Sequence, residues 1–207
     1  KLGLISVVLT VVIGVPSGII SATKQYSLLD YSVTLVSLFF AAVPGFWLSM
    51  IMILIFSSRL GWLPSSGLTD WTCYIMPVIA SSAQYVASVT RQTRSSMLEV
   101  IRQDYIRTAR AKGVSERAVI WKHALRNALI PVVTLIGMQT GAVIAGSAII
   151  EAVHSFPGMG SLMMTAINNK DYSTIQAVVL VLSAVVCVIN LLVDTVYAVI
   201  DPRVEIR

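Results

Sequence analysis

Residues 91–126 read RQTRSSMLEVIRQDYIRTARAKGVSERAVIWKHALR and hold nine of the chain's fifteen Lys and Arg against three acids. The block is helical in period on both sides of Gly113, and long uncharged apolar runs flank it. Lys and Arg concentrate in the cytoplasmic loops of membrane proteins, so this arrangement predicts a lipid-embedded chain with one large basic loop inside. A helical basic loop of this kind is a docking surface.

Working outward, five stretches are long enough to cross a bilayer, which takes about 20 helical residues. They cover 2–23, 31–58, 71–90, 127–150 and 172–200, uncharged apart from Asp194 in the last. The chain is 56% hydrophobic and 12% charged, with a mean hydropathy of +0.81. Soluble domains carry about 25% charged residues. A buried core helix explains one such stretch but not five, so the fold class is all-α, polytopic and membrane-embedded. The net charge of +5 follows from the positive-inside bias and gives no reason to expect a nucleic-acid partner. Cys73 and Cys187 have no ligand spacing and are expected to be small buried residues.

With 91–126 inside, loop 24–30 is a short inner turn, loops 59–70 and 151–171 face out, and the tail 201–207 ends inside. Lys24, the nine loop cations, Arg203 and Arg207 then make twelve of fifteen cations cytoplasmic. The opposite orientation leaves three. The first residue is Lys1 and the first span starts outside, which predicts one earlier span and six in the intact protein.

Within the loop, Met97, Ile101, Tyr105 and Ala109 recur every four residues, which predicts an amphipathic helix over 91–113. Gly113 can take the positive φ that stops a helix. Ser115 can cap the next helix, with Glu116 well placed at its positive end. Helix, sharp turn and a second helix into the span at Pro131 would transmit a push from a partner into the membrane.

The stretch DYIRTARAKGVSERAVIWKHALRNALIP at 104–131 resembles the EAA loop of ABC importer permeases. More narrowly, it resembles the first permease subunit of dipeptide, oligopeptide and nickel importers. LGWLP at 60–64, FPGMGSLMMTAINNKDYSTIQAVVL at 156–180 and DPR at 201–203 match the same subfamily in order. The family pattern is EAA, three residues, Gly, nine residues, then I-x-L-P. Here Arg107-Thr108-Ala109 stands at the EAA position without the glutamate, and His123-Ala124-Leu125-Arg126 replaces I-x-L-P.

The resemblance implies a type I importer permease in a bacterial inner membrane. Its partners would be a homologous second permease, two cytoplasmic ATPases that hold ATP and Mg, and an extracytoplasmic binding protein. The solute would be a peptide or a related small compound such as a nickel chelate. This chain itself would bind no cofactor. Residues 107–113 (Arg107, Thr108, Ala109, Arg110, Ala111, Lys112, Gly113) would couple to an ATPase. Ala109, Ala111 and Gly113 would be the close-packing contacts, with Arg107 and Arg110 at the rim.

Elsewhere the residues leave alternatives open. Pro16, Pro44 and Pro77 interrupt three spans, either as kinks around a pathway or as ordinary membrane-helix kinks. Pro44, Gln84, Gln139 and Thr140 are candidates for a polar path. Trp62, Glu151 and His154 are candidates for binding-protein contact, though for the last two a structural end-of-helix role is the better reading. A short helix after Gly160 would lie along the outer face and could gate its mouth. Asp194, one turn after Asn190, suits a polar interhelical contact. There is no G-x-x-x-x-G-K-[ST], no G-x-S-x-G and no paired histidines on one side of the membrane. The chain reads as a transport subunit rather than an enzyme. A secondary transporter or channel without an ATPase is the alternative, and an inverted repeat or intramembrane charges would favour it.

Overall fold

The structure is a computed structural model and describes residues 1–145 and 148–200. The DPR at 201–203, Arg203, Arg207 and the side chain of Asp194 lie outside the described residues. Regular structure among the described residues is helical throughout.

Helix α1 (Leu2–Thr23) turns at Lys24–Ser27, where Tyr26 takes a left-handed φ of 62°, into α2 (Leu28–Ala42). The Ser27 side chain accepts the Asp30 N–H at 3.3 Å, starting α2. The apolar run expected to cross as one span at 31–58 is broken. Val43 is extended (φ −83°, ψ 122°) ahead of Pro44, because the proline ring excludes helical geometry from the residue before it. The chain then restarts as α3 (Gly45–Met52) and a π-helical turn, Ile53–Arg59, bent by 99° from α2.

After the outer loop, a 3₁₀ turn (Trp71–Tyr74) leads into α4 (Ile75–Ile101). Pro77 does not interrupt this helix. It lies in the first turn, where an N–H would have no helical acceptor. Downstream come α5 (Asp104–Ala111), α6 (Glu116–Ala118) and a π-helical segment, Val119–Ala124, that runs directly into α7 (Leu125–Ala145). Pro131 stays inside α7. The outer side carries α8 (Ala148–Val153) and α9 (Met159–Asn168), and α10 (Tyr172–Ile200) returns.

By length and apolarity, Leu2–Thr23, Glu116–Val143 and Tyr172–Val193 can each cross a membrane, and the bent α2–α3 pair makes a fourth. The expected span at 71–90 falls on α4. At 27 residues α4 is about 40 Å long, but Ser81, Ser82, Thr90, Thr93 and Ser96 make it polar, and all five are buried. Its neighbours α1, α2, α3 and α7 cover it, so it need not match lipid. By contrast, among the described residues α10 packs mainly on α7 and α9 and leaves Leu180, Leu191 and Leu192 outward. Cys73 is buried as expected, but Cys187 is exposed on this open helix.

The most extensive contact in the fold is α1 against α4. The two run parallel, with Leu2 beside Val78 at the outer end and Ile19 and Ala22 beside Met97 at the inner end. Gly14 and Gly18, one turn apart, let the backbones close up. A Cβ on Gly14 would stand 2.9 Å from Val89 Cγ1, and one on Gly18 would stand 2.5 Å from Thr93 Cβ and 2.6 Å from the Thr90 carbonyl oxygen. Small residues at this spacing are how membrane helices gain dispersion contacts without a hydrophobic drive between them. Gly18→Leu must therefore push α1 off α4, at about 2–3 kcal/mol for overpacking. The expected result is a lower melting temperature in detergent than for the wild type, with Ile20→Ala, on the exposed side of the same turn, leaving it unchanged.

Candidate functional site

The basic loop is not one helix. α4 stops at Ile101, Gln103 is extended (φ −70°, ψ 149°) and α5 starts at Asp104. This break shifts the apolar register by one residue. Met97 and Ile101 continue not to Tyr105 but to Ile106, which has 0% exposure. Ile106 packs with Ile19, Ala22, Met97, Val119, Ala124 and Ala128, so α1, α4 and the helix that becomes α7 all touch it or its cluster. Tyr105, half-exposed, has its hydroxyl oxygen accept the Asn127 amide at 2.7 Å. Two side chains thus fasten α5 to the membrane helices.

Its C-terminus is equally defined. The Gly113 N–H bonds the Arg110 carbonyl at 2.9 Å, and the Val114 N–H bonds the Ala109 carbonyl at 3.3 Å. That pair is the Schellman arrangement, with Gly113 in the left-handed position at φ 78°. A Cβ there would meet nothing within 4 Å, so glycine is required by backbone conformation and not by space. Val114 and Ala109 pack together on the Ile106 cluster, the apolar contact such a turn normally carries. Ser115 does not cap the following helix with its side chain. Instead Glu116 pairs twice with Arg110, at 2.7 and 3.0 Å, closing the turn from the solvent side. This pairing holds the Glu116 carboxylate and Arg110 guanidinium in their charged forms.

The anchored side leaves one face free. Arg107, Thr108, Arg110, Ala111, Lys112 and Gly113 are exposed, and Thr108 turns its hydroxyl back to the Asp104 carbonyl at 3.0 Å. Arg107 lies 3.6 Å from Asp104, with both side chains open to solvent, a pairing of little strength. Ala109 departs from expectation. It faces inward against the Ile106 cluster, because the new register places it one turn from Ile106, and so it is not on the free face.

A second group was not anticipated. Asp30, at the head of α2, is buried and takes both Arg94 nitrogens, Nε at 2.7 Å and Nη2 at 2.8 Å. It also accepts Ser21 Oγ–H at 2.5 Å and the Tyr26 N–H at 3.0 Å. One carboxylate thus joins the end of α1, the left-handed turn, α2 and α4. The Ser27-x-x-Asp30 spacing in the sequence marks a helix start. A partner 64 positions away carries no such local mark.

The family described as binding-protein-dependent transport system inner membrane component matches residues 14–206. The chain belongs to this family. It is 40% identical over 212 residues to the oligopeptide transport system permease protein AppB of Bacillus subtilis, covering 98% of this chain and 67% of that protein. It is 42% identical over 202 residues to the glutathione transport system permease protein GsiC of Escherichia coli, covering 98% and 66%. The chain spans about two thirds of the length of these relatives. Among solved structures, the MetNI methionine ABC transporter in inward-facing form gives a TM-score of 0.78 at 20% identity, covering 97% of this chain and 91% of that one. The fold is accordingly that of an ABC importer permease, and the chain is an inner-membrane protein.

Of the permease's path candidates, the structure brings two together. Pro44 and Gln84 line one cavity of about 300 Å³ at the α2–α3 bend, with Ser81 and Tyr85. Gln139 and Thr140 are not in that lining. Thr140 donates to the Ile136 carbonyl at 2.7 Å, and Gln139 Oε1 is buried with no partner among the described residues.

On the outer side, Trp62 is 69% exposed and remains available for contact. Glu151 and His154 are buried instead. Glu151 accepts the Gly160 N–H at 2.8 Å and the Ser161 N–H at 3.3 Å, holding the start of α9. His154 Nδ1 lies 3.0 Å from the Ser65 carbonyl oxygen and Nε2 lies 3.2 Å from Ser49 Oγ. A carbonyl only accepts, so Nδ1 carries a proton, and in the neutral form that burial favours Nε2 accepts from Ser49. Both residues therefore fix the outer loops in place.

Burial pushes the His154 imidazole below its ordinary value, against the opposing Ser65 bond. The unfolded chain then binds this proton first as pH falls, so stability is lost below about 6.5 and the loss levels off under the folded-state value. Melting temperatures at pH 7.5 and 5.5 are expected to differ more for the wild type than for His154→Gln. Asp30→Asn, which strands Arg94, is expected to cost about 2–3 kcal/mol, less than a fully buried pair because the arginine is partly solvated. A melting curve of that variant checks it.

Proposed function

We propose that the chain is the membrane-spanning subunit of an ATP-driven importer for peptides or a related small solute, forming half of the translocation pathway. The observation that carries this reading is the two-sidedness of α5. Ile106 and Tyr105 fasten it to three membrane helices, while Arg107, Thr108, Arg110, Ala111, Lys112 and Gly113 face the cytoplasm. A helix held this way is a handle. A cytoplasmic ATPase docked on the free face would move the spans when nucleotide closes it, switching the pathway between inward- and outward-facing states.

The rest of the assembly follows from family membership. A second, homologous permease would complete the pathway, two ATPases would hold ATP and Mg, and an extracytoplasmic binding protein would present solute at the outer loops near Trp62. This chain would need no cofactor of its own. The peptide reading draws support from relatives whose names specify oligopeptide and glutathione transport. Nickel chelates belong to the same resemblance and have weaker support. The cavity at Pro44 and Gln84 is the part of the pathway this subunit would contribute.

The test uses the complete transporter, reconstituted with its ATPases and binding protein. Gly113→Val forces a β-branched residue into the left-handed region, at a cost of about 1–2 kcal/mol or more. Uptake is expected to fall at least tenfold while the spans stay inserted, and Gly113→Asn, which tolerates that conformation, should retain most of it. Ile106→Ala leaves the free face intact but loosens the anchor. It should preserve ATPase binding and reduce uptake per ATP hydrolysed. Undiminished uptake in both Gly113→Val and Ile106→Ala would remove the handle reading, and transport without any ATPase would favour the secondary-transporter alternative.

A further inference from the structure

We infer that the cleft between the α1–α2 turn and α5 binds the phosphate of an anionic phospholipid headgroup from the cytoplasmic leaflet. The cleft has a volume of about 650 Å³. Four of the residues lining it are cations, Lys24, Arg102, Arg107 and Arg110, and none is acidic. Arg110 is shared with Glu116, and Arg107 only loosely with Asp104. Lys24 and Arg102 have no acidic partner among the described residues. Four positive groups around one opening, two of them uncompensated, make a seat for an anion.

The depth and rim of the cleft select a lipid. α1 is apolar up to Thr23, so Lys24 stands where a span meets the headgroups. The turn beside it holds Tyr26 72% exposed and Leu28 86% exposed. A soluble acidic protein would leave that apolar rim in water, whereas the membrane interface accepts tyrosine and leucine at this level. Ala22, Leu98 and Ile101 give the lining an apolar share, suited to the glycerol and first methylenes beneath a phosphate. Basic pockets between helices on the cytoplasmic side are a known form of headgroup recognition. The site goes beyond the importer reading and rests on Lys24 and Arg102, which are outside the proposed ATPase-coupling set, while Arg107 and Arg110 belong to both.

The test is native mass spectrometry of the full-length permease released from detergent, with phosphatidylglycerol or phosphatidylcholine of equal chain length added. The wild type is expected to retain phosphatidylglycerol to higher collision energy. Lys24→Gln with Arg102→Gln should weaken that binding on the order of tenfold or more, while the charge-preserving pair Lys24→Arg with Arg102→Lys retains it. Arg59→Gln, on the outer side, should change nothing. Equal retention of the two lipids, or equal phosphatidylglycerol binding in the wild type and the Gln pair, would overturn the proposal. Two further results would reassign the cleft and so overturn it as well: inorganic phosphate competing as well as the lipid, or release of the lipid when the ATPase binds. If the Gln pair fails to fold, the comparison of lipids on the wild type and the charge-preserving pair still decides.

Discussion

The backbones of α1 and α4 come together at Gly14 and Gly18, and α2 and α7 pack against that pair. Lipid offers no hydrophobic reward for bringing two apolar helices together, so close dispersion contact has to hold them. Where the glycines allow it, a polar seam forms. Ser6, Thr10 and Ser21 on α1, with Thr90, Thr93 and Ser96 on α4, are all buried. Thr10 bonds the Ser6 carbonyl and Ser96 accepts from Gln92 one turn away. Ser21 reaches Asp30 of α2, and the Ser6 and Thr93 hydroxyls have no partner among the described residues, so the seam is not a continuous polar network. Because α4 is enclosed on several sides, it can be the least apolar of the crossing helices.

At the cytoplasmic end, this pair supports both functional features. Met97 of α4 and Ile19 of α1 form the socket for Ile106, and Arg94, one turn earlier on α4, reaches Asp30. α5 and the α1–α2 elbow are therefore fixed to adjacent turns of the same helix. A displacement of α5 cannot be absorbed by a slack loop, since the break at Arg102 and Gln103 spans two residues only. The bidentate Arg110–Glu116 pair and the Schellman turn remove the remaining freedom on the other side.

How much was legible follows from where each signal resides. Membrane class, orientation, the basic loop, the stop at Gly113 and the family resemblance all rest on local composition or short strings. The structure and the relatives agree on the class and the family. The break in 31–58 was half visible: Pro44 was noted, but how far a helix bends there depends on what packs beside it. The register slip at 102–103 was invisible, because a four-residue stripe through Tyr105 and Ala109 reads as continuous whether or not the helix is. Asp30 with Arg94, and His154 with Ser49 and Ser65, join positions far apart in the chain. For Glu151 and His154 the sequence offers an end-of-helix role, but which groups they hold, the start of α9 and Ser65, depends on the fold.

The uninterrupted run from Glu116 through the π-helical segment to Ala145 has a mechanical consequence. Thirty residues of helix are about 45 Å long, whereas α5 packs directly on the cluster around Val119, so an arm through α5 is about one helix diameter, about 10 Å. A body pivoting at that cluster has a short arm in the cytoplasm and a long arm across the bilayer, a leverage of roughly fourfold by those lengths. A shift of about 2 Å at the short arm would then swing the far end by about 8 Å, most of one helix diameter. The gearing of such a body is set by the ratio of its two arms, and it trades force at the short end for travel at the long one.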